Sequence, residues 1–183
     1  MTEPVTLAEA RAQVNIIDDT DTTFDTFLTS LIAPARAYVE RVTRYLFVGG
    51  SRTETFTSWG DYLEIWRRPI ASIDGVTYST TADPADDADL TDFVVNFGFP
   101  ARIGPPIGAS FPDLVAGGTI TVTYTGSAVA DTSEEYLLGK RLMLLLIGEW
   151  FNDREAYSTE RVSPDFDFAV RSMINTLAPV SAY

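Results

Sequence analysis

The spacing of apolar residues changes twice along this chain, and these changes constrain its fold more than any other feature. Before Gly49, apolar side chains recur every three or four positions, which is typical of one helix face. Between residues 52 and 126 they alternate with polar ones, which is typical of half-buried strands. The helical spacing then returns. This order predicts an α+β protein, with a helical bundle formed by N- and C-terminal helices (1–51 and 127–183) and a β-rich insertion (52–126).

Two helices are predicted before the insertion. Thr6 and Glu9 have the spacing of a capping box, so a short helix begins after Thr6 and ends near Val14. A longer helix is predicted from Phe24 to Leu46, because apolar residues keep the helical spacing throughout this stretch.

Three features of the longer helix set expectations for its geometry. Glu40 and Arg44 have i, i+4 spacing and should pair on the side that faces solvent. Pro34 removes one backbone hydrogen bond, which predicts either a kink or two abutting helices. Gly49 and Gly50 should end the helix.

The insertion is predicted to contain short strands joined by loops. The loop at 81–92 is acidic and the loop at 99–113 is rich in Pro and Gly, so both are expected to be exposed and mobile. The predicted strands cover residues 53–59, 62–66, 73–79, 92–97 and 118–126.

Two further helices are predicted after the insertion. Thr132 and Glu135 match a second capping box, and that helix should run to about Ala156. Ser163 is the expected N-cap of the last helix, with Pro164 at its first position.

Two glycines lie inside the first of these C-terminal helices. Gly139 and Gly148 should each cost about 1 kcal/mol relative to alanine. A close approach of another element would explain them, and so would simple tolerance.

Composition excludes several classes of function. The chain has neither cysteine nor histidine, so catalysis would depend on carboxylates or hydroxyls, and ordinary zinc or iron sites are excluded. The net charge of −13 argues against nucleic-acid binding, which relies on Lys and Arg. The longest apolar run, Leu142 to Ile147, is far shorter than the roughly 20 residues of a membrane span. No secretory signal follows Met1, and we expect a soluble protein without a membrane partner.

One pair of carboxylates is a candidate for chemistry. Glu149 and Asp153 are neighbours on one predicted helix face, and paired carboxylates can serve as acid and base in glycoside hydrolysis. The same spacing is common on solvated helix ends, and Arg154 lies close enough to screen the pair. No phosphate-binding loop or nucleophile elbow accompanies it. We expect no catalytic residue and no cofactor.

Two aspartate-rich segments, 18–21 and 86–89, superficially resemble calcium loops. Neither has the glycine and the distal glutamate of an EF-hand loop. We therefore expect no metal site.

Several segments, taken in order, match the organisation of one family. Residues 6–47 give a short helix, an acidic loop and a long helix containing ARAYVE before an aromatic stop. YLEIWRRPIASIDGVTY at 62–78, PARI at 100–103 and GGTITVTYTG at 117–126 follow as strands, and LLLIGEWFNDREA at 144–156 follows as a signature helix. In this order the chain resembles the head-tail connector (adaptor) proteins of tailed bacteriophages and prophages.

The resemblance implies a structural virion protein that is not an enzyme. Copies of the chain would form a ring, expected to be dodecameric, between the portal protein of the capsid and the head-closure protein or tail. DNA would pass through the lumen without specific binding, which suits an acidic protein because a basic lumen would retain phosphates. The expected location is the neck of the virion, assembled in the bacterial host cytoplasm.

The same resemblance identifies candidate interface residues. Trp150 and Phe151 are typical of core residues, and Trp150 is alternatively a candidate contact between subunits, where aromatic side chains are enriched. Arg154 is a further candidate contact with the portal or between subunits. The segment after Leu177 is expected to contact the portal, with Val180 and Tyr183 as anchors.

Two alternatives remain open on the sequence. One is the head-closure protein of the same neck, which is usually richer in β-barrel structure. The other is an acidic carbohydrate-binding or hydrolysing domain, which would use Glu149, Asp153, Trp59 and Trp66.

Overall fold

The chain divides into two compact units in a computed structural model. The helical unit comprises residues 1–48 and 129–183, and the strand unit comprises residues 49–128. Helices form the first unit and antiparallel sheets form the second, so the predicted α+β class is confirmed. The structure describes residues 2–18, 20–81, 83, 86–152 and 164–178.

The helical unit is built around one apolar core. Helices α1 (Leu7–Gln13) and α2 (Asp25–Thr43) precede the strand unit, and α3 (Glu134–Asn152) and α4 (Pro164–Leu177) follow it. α2 and α3 pack against each other and supply most of the buried aliphatic side chains. These are Leu28, Ile32, Ala35, Val39, Leu142, Met143, Leu146 and Ile147.

The capping box predicted for α1 is confirmed. The Thr6 hydroxyl accepts a hydrogen bond from the Glu9 N–H at 3.2 Å, and the Glu9 carboxylate accepts one from the Thr6 N–H at 2.9 Å. Lys140 of α3 contacts the same carboxylate at 2.7 Å and so ties α1 to α3. Burial alone would raise the pKa of Glu9, but the hydrogen bonds from Lys140 and Thr6 lower it below its usual value.

α2 ends at Thr43, well before the predicted glycine stop. Arg44 adopts a left-handed conformation, with φ of 66°, and its N–H donates to the Glu40 carbonyl at 3.0 Å. The buried Thr43 hydroxyl donates to the Val39 carbonyl at 2.7 Å. The prediction that Gly49 and the next glycine end the helix is therefore wrong, because these local hydrogen bonds close the last turn earlier.

Glu40 is buried, with only 4% of its surface accessible. Its Oε1 atom accepts hydrogen bonds from the N–H groups of Phe47 and Val48 at 2.9 and 3.3 Å. Its Oε2 atom lies 3.2 Å from Nη1 of Arg36. The predicted solvent-facing pair of Glu40 with Arg44 is therefore wrong. The carboxylate instead points inward, where it satisfies two buried backbone donors.

α2 runs through Pro34 as a single helix. The proline removes one N–H donor, but Ile32 and Ala35 beside it are buried in the core, and this packing holds the helix together. In the preceding turn the Ser30 hydroxyl donates to the Phe27 carbonyl at 2.6 Å. A division into two abutting helices, one of the two expected outcomes, is therefore wrong.

The cap of α3 lies one residue later than predicted. The Ser133 hydroxyl accepts a hydrogen bond from the Tyr136 N–H at 3.1 Å. Ser133 therefore occupies the N-cap, and the prediction of Thr132 at that position is wrong.

Gly139 of α3 lies directly against the ring of Phe47. A Cβ atom at this position would overlap the ring. At Gly148 a Cβ atom would meet only the flexible end of the Gln13 side chain, at 3.3 Å. Close approach therefore explains Gly139, whereas a side chain at Gly148 would require only a small shift of the flexible Gln13 side chain.

The strand unit contains two antiparallel sheets. Its strands are β1 (Gly50–Phe56), β2 (Leu63–Ile65), β3 (Ile70–Tyr78), β4 (Ala88–Asp89), β5 (Val94–Asn96), β6 (Ala101–Gly104) and β7 (Ile120–Gly126). One sheet has the order β1-β7-β3-β4 and the other has the order β2-β6-β5. Both sheets contribute to one apolar core, whose buried members are Leu63, Ile65, Val76, Ala101, Ile103, Ile120, Val122 and Tyr124.

Tyr124 is the largest side chain of this core, with 1% of its surface accessible. Its hydroxyl donates to the Glu54 carboxylate of the neighbouring strand at 2.9 Å. Burial raises the pKa of Tyr124, and the bond to Glu54 raises it further. The hydroxyl therefore keeps its proton and its hydrogen bond throughout the ordinary pH range.

Two segments predicted to be exposed loops contain strands. β6 lies within 99–113 and is the central strand of its sheet, with Ala101 and Ile103 buried. β4 lies within 81–92 and pairs with β3. The loop prediction from composition is wrong at these strands, because the surrounding Pro, Gly and Asp dominated the local composition. The strand that the resemblance implied at PARI is present as β6, and in β4 the side chain of Asp89 is exposed as predicted.

The chain leaves and re-enters the helical unit at neighbouring positions. The Val129 N–H donates to the Leu46 carbonyl at 2.8 Å within the helical unit. Within the strand unit, Gly50 at the start of β1 pairs with Gly126 at the end of β7. In each unit, therefore, the two chain positions next to the unit boundary are joined to each other within that unit.

Replacing Gly139 with alanine should destabilise the protein, because the added methyl group would overlap the Phe47 ring. Such overpacking costs about 1–3 kcal/mol, which should outweigh the ~1 kcal/mol that alanine gains over glycine in a helix. Gly148→Ala is the matched control and should leave stability unchanged or raise it. Urea unfolding measures both variants, and equal stabilities would contradict the packing.

Replacing Glu40 with alanine should remove the carboxylate that accepts from the buried Phe47 and Val48 N–H groups. The expected loss in free energy of unfolding is roughly 2–4 kcal/mol. Glu40→Gln keeps an acceptor oxygen at the same position and should lose less. Thermal and urea unfolding compare the two variants. A glutamine variant as unstable as the alanine variant would show that the hydrogen bonds contribute little.

Candidate functional site

The structure describes one of the four interface residues singled out by the sequence. Trp150 lies near the end of α3, where it is half-buried and packs against the core of the helical unit. The next residue, Phe151, is buried and meets Phe24 edge-on, with ring centroids 5.3 Å apart. The contacts proposed for the remaining residues stay predictions. Those outside the described ranges are Arg154, Val180 and Tyr183.

The residues of the carbohydrate alternative belong to different units, Glu149 to the helical unit and both tryptophans to the strand unit. One ring face of Trp59 is covered by Phe111, which stacks on it with centroids 4.5 Å apart. Trp66 keeps 43% of its surface exposed. Asp153 lies outside the described residues, so its pairing with Glu149 stays a prediction.

The first aspartate-rich segment is organised by its own threonines and by Arg11. Hydrogen bonds from Thr20 to Asp18 and from Thr23 to Asp21 lower the pKa of both carboxyl groups. Arg11 donates to the backbone carbonyls of the same two aspartates. Within the described ranges, no group of three or more acidic side chains is placed to hold a metal ion.

The three-stranded sheet turns one face to solvent. Side chains alternate along β2 and β6, so Leu63 and Ile103 lie in the core while their neighbours point outward. On this outward side, here termed the outer sheet face, the sequence singled out Trp66 alone, for the carbohydrate alternative. The face comprises Tyr62, Glu64, Trp66, Val94, Asn96, Arg102 and Gly104.

Tyr62 is held in place on the outer sheet face. Gly104 makes room for its ring, since a Cβ atom there would lie 2.9 Å from a ring carbon. The Arg102 guanidinium lies 5.8 Å from the ring centre, and its Nε atom donates to the Glu64 carboxylate at 2.9 Å. Exposed Ile107 lines a groove of about 280 Å³ beside the ring. The face therefore presents an aromatic ring and a cation in fixed positions.

A second aromatic group borders this face. Trp66 meets Phe99 edge-on, with ring centroids 5.6 Å apart. The Arg68 guanidinium lies over the Phe99 ring, 4.4 Å from its centroid. Phe97, just after β5, is 56% exposed. Exposed Tyr, Trp and Phe together with Arg are typical of protein interfaces. The signal was present in YLEIW, where Tyr and Trp occupy the polar side of a strand.

Charge is unevenly distributed in the strand unit. Three of its arginines, Arg67, Arg68 and Arg102, lie in or beside the three-stranded sheet. From residue 69 to residue 101 the sequence contains no Lys or Arg. That stretch includes an acidic segment, residues 86–92, whose exposed carboxylates are Asp86, Asp87, Asp89 and Asp92.

Three solved structures have a similar fold over nearly the whole chain. A chain in the neck of an empty gene transfer agent particle, computed with C6 symmetry, has a TM-score of 0.74 and 17% identity, covering 100% of this chain and 95% of that chain. A chain in the virion of a native gene transfer agent particle has a TM-score of 0.71 and 18% identity, with 98% and 92% covered. A chain in the neck of a native particle, computed with C12 symmetry, has a TM-score of 0.64 and 17% identity, with 100% and 96% covered.

At these identities the likeness establishes the fold alone. Neither a protein-family profile nor a curated protein sequence matches the chain. None of the described helices is long and apolar enough to cross a membrane.

Trp150→Ala should destabilise the protein by about 2–3 kcal/mol, because the ring packs against the core of the helical unit. Trp66→Ala is the comparison, and it should cost no more than about 1 kcal/mol because much of that ring is exposed. Urea unfolding of both variants checks the difference. A fully stable Trp150→Ala protein would instead assign this residue to a contact with another chain.

Proposed function

We propose that this protein is a structural subunit of the neck of a phage-like particle. In this proposal, copies of the chain form a ring adaptor between the portal of the capsid and the head-closure protein or tail. The observation that carries the proposal is the fold likeness to chains in gene transfer agent necks, which extends over 100% of this chain.

Two further observations support a ring. The order of sequence segments resembles that of connector proteins, and this resemblance does not depend on the fold. One of the similar neck structures was computed with C12 symmetry and another with C6 symmetry. A ring of twelve copies is compatible with both, since a twelvefold ring contains sixfold symmetry.

The charge of the chain suits a conduit for DNA. A net charge of −13 repels phosphates, so DNA can pass without being retained on the lumen wall. Low affinity for DNA is an advantage here, because a neck protein must release the genome at ejection.

Three of the described carboxylates have structural contacts. Glu40 holds two backbone N–H groups, Glu9 joins two helices, and Glu64 pairs with Arg102. We propose that the protein is not an enzyme, and that contacts with the portal and with neighbouring copies use Trp150 and the residues outside the described ranges. Those residues are Arg154, Val180 and Tyr183.

Deleting the gene in a strain that produces the particle should leave DNA-filled heads without tails, because no ring would connect them. Electron microscopy and particle titre measure this, and expression of the wild-type chain should restore tailed particles. Glu149→Gln should restore them equally, which separates a structural subunit from a carboxylate hydrolase.

Fully tailed particles in the deletion strain would contradict the proposal. Reconstruction of the complemented neck also distinguishes the two neck roles. An adaptor contacts the portal, whereas density for this chain one layer further from the capsid would favour the head-closure protein.

A further inference from the structure

The outer sheet face collects the exposed apolar surface of the strand unit. Within the described part of that unit, every exposed large hydrophobic side chain belongs to this face or lies beside it. They are Tyr62, Trp66, Val94, Phe97 and Ile107. An exposed cluster of this kind marks an interaction site rather than ordinary surface.

The face is also preorganised for binding. Gly104 seats the Tyr62 ring, and the cross-strand bond to Glu64 at 2.9 Å orients Arg102. The side chain of Arg102 nevertheless remains 50% accessible, so its guanidinium can take a further partner. Side chains already fixed in place lose little conformational entropy on binding.

The chain itself carries a chemical complement to this face. The acidic segment presents exposed carboxylates, and the surrounding sequence from 69 to 101 supplies no Lys or Arg to neutralise them. Carboxylates prefer arginine partners, which the outer sheet face provides in Arg102 with Arg67 and Arg68 nearby.

We infer that the outer sheet face of one copy binds the acidic segment of the next copy in the ring. This inference rests on the proposed ring, whose contacts must be head-to-tail, so that two different surfaces of each copy meet. The arginines attract the acidic segment and fix its register, and Tyr62, Val94 and Ile107 exclude water from the contact.

Single cysteines can test the contact cleanly, because the chain has none of its own. One chain would carry Val94→Cys, and a second chain of different size would carry Asp86→Cys, Asp87→Cys or Asp89→Cys. After assembly, a short bismaleimide should join the two chains into a heterodimer. Ser51→Cys, at an exposed position of β1, replaces the acidic-segment cysteine in the control and should give no heterodimer with Val94→Cys.

Charge reversal gives a second measurement. Arg102→Glu and Asp87→Arg should each weaken self-association about tenfold, and the double variant should recover most of the loss. Sedimentation measures self-association, and circular dichroism confirms that each variant is folded. A double variant no stronger than the single ones would overturn the inference.

The remaining outcomes separate this inference from the proposed function. Rings that assemble without linking these cysteines would overturn the inference and leave the neck function standing. Cysteine links from Val94→Cys to the portal alone would also overturn it, and so would a chain that stays monomeric at about 1 mM. The gene-deletion experiment tests the neck function independently of all three.

Discussion

The buried carboxylate of Glu40 fixes the position of Phe47 and Val48 just after α2, and the packing of the helical unit depends on this segment. After α2 ends, the chain turns back against α3, and Glu40 accepts hydrogen bonds from the buried N–H groups of Phe47 and Val48. This arrangement brings the Phe47 ring onto Gly139, where the absence of a side chain lets the ring approach the backbone of α3. Arg36 balances the charge of the carboxylate from the same helix face.

Much of the fold followed from local rules. The capping box at Thr6 and Glu9 and the alternation in β7 depend on residues close in sequence, so pattern and spacing were enough to predict them. The α+β class followed from the change of period alone.

The errors arose where specific hydrogen bonds or strand pairings, rather than spacing and composition, decide the structure. Spacing alone suggested a surface pair for Glu40, but the donors that draw it inward follow the helix. The early end of α2 required a left-handed Arg44, which no composition rule indicates. β6 resembled a loop because Pro and Gly surround it. Its place in the sheet depends on pairing with β5 just before it and with β2, which lies much earlier in the sequence. The outer sheet face exists only once that pairing is known.

The bond between Leu46 and Val129 has a consequence for how such proteins can diversify. Since the helical chain is already joined at this point, whatever lies between the two residues can change in length with only a small change in loop-closure entropy. The antiparallel pairing of Gly50 with Gly126 gives the intervening module its own closed base. A genome could therefore exchange the entire module by recombination at these two points, altering what the subunit recognises without redesigning the helices.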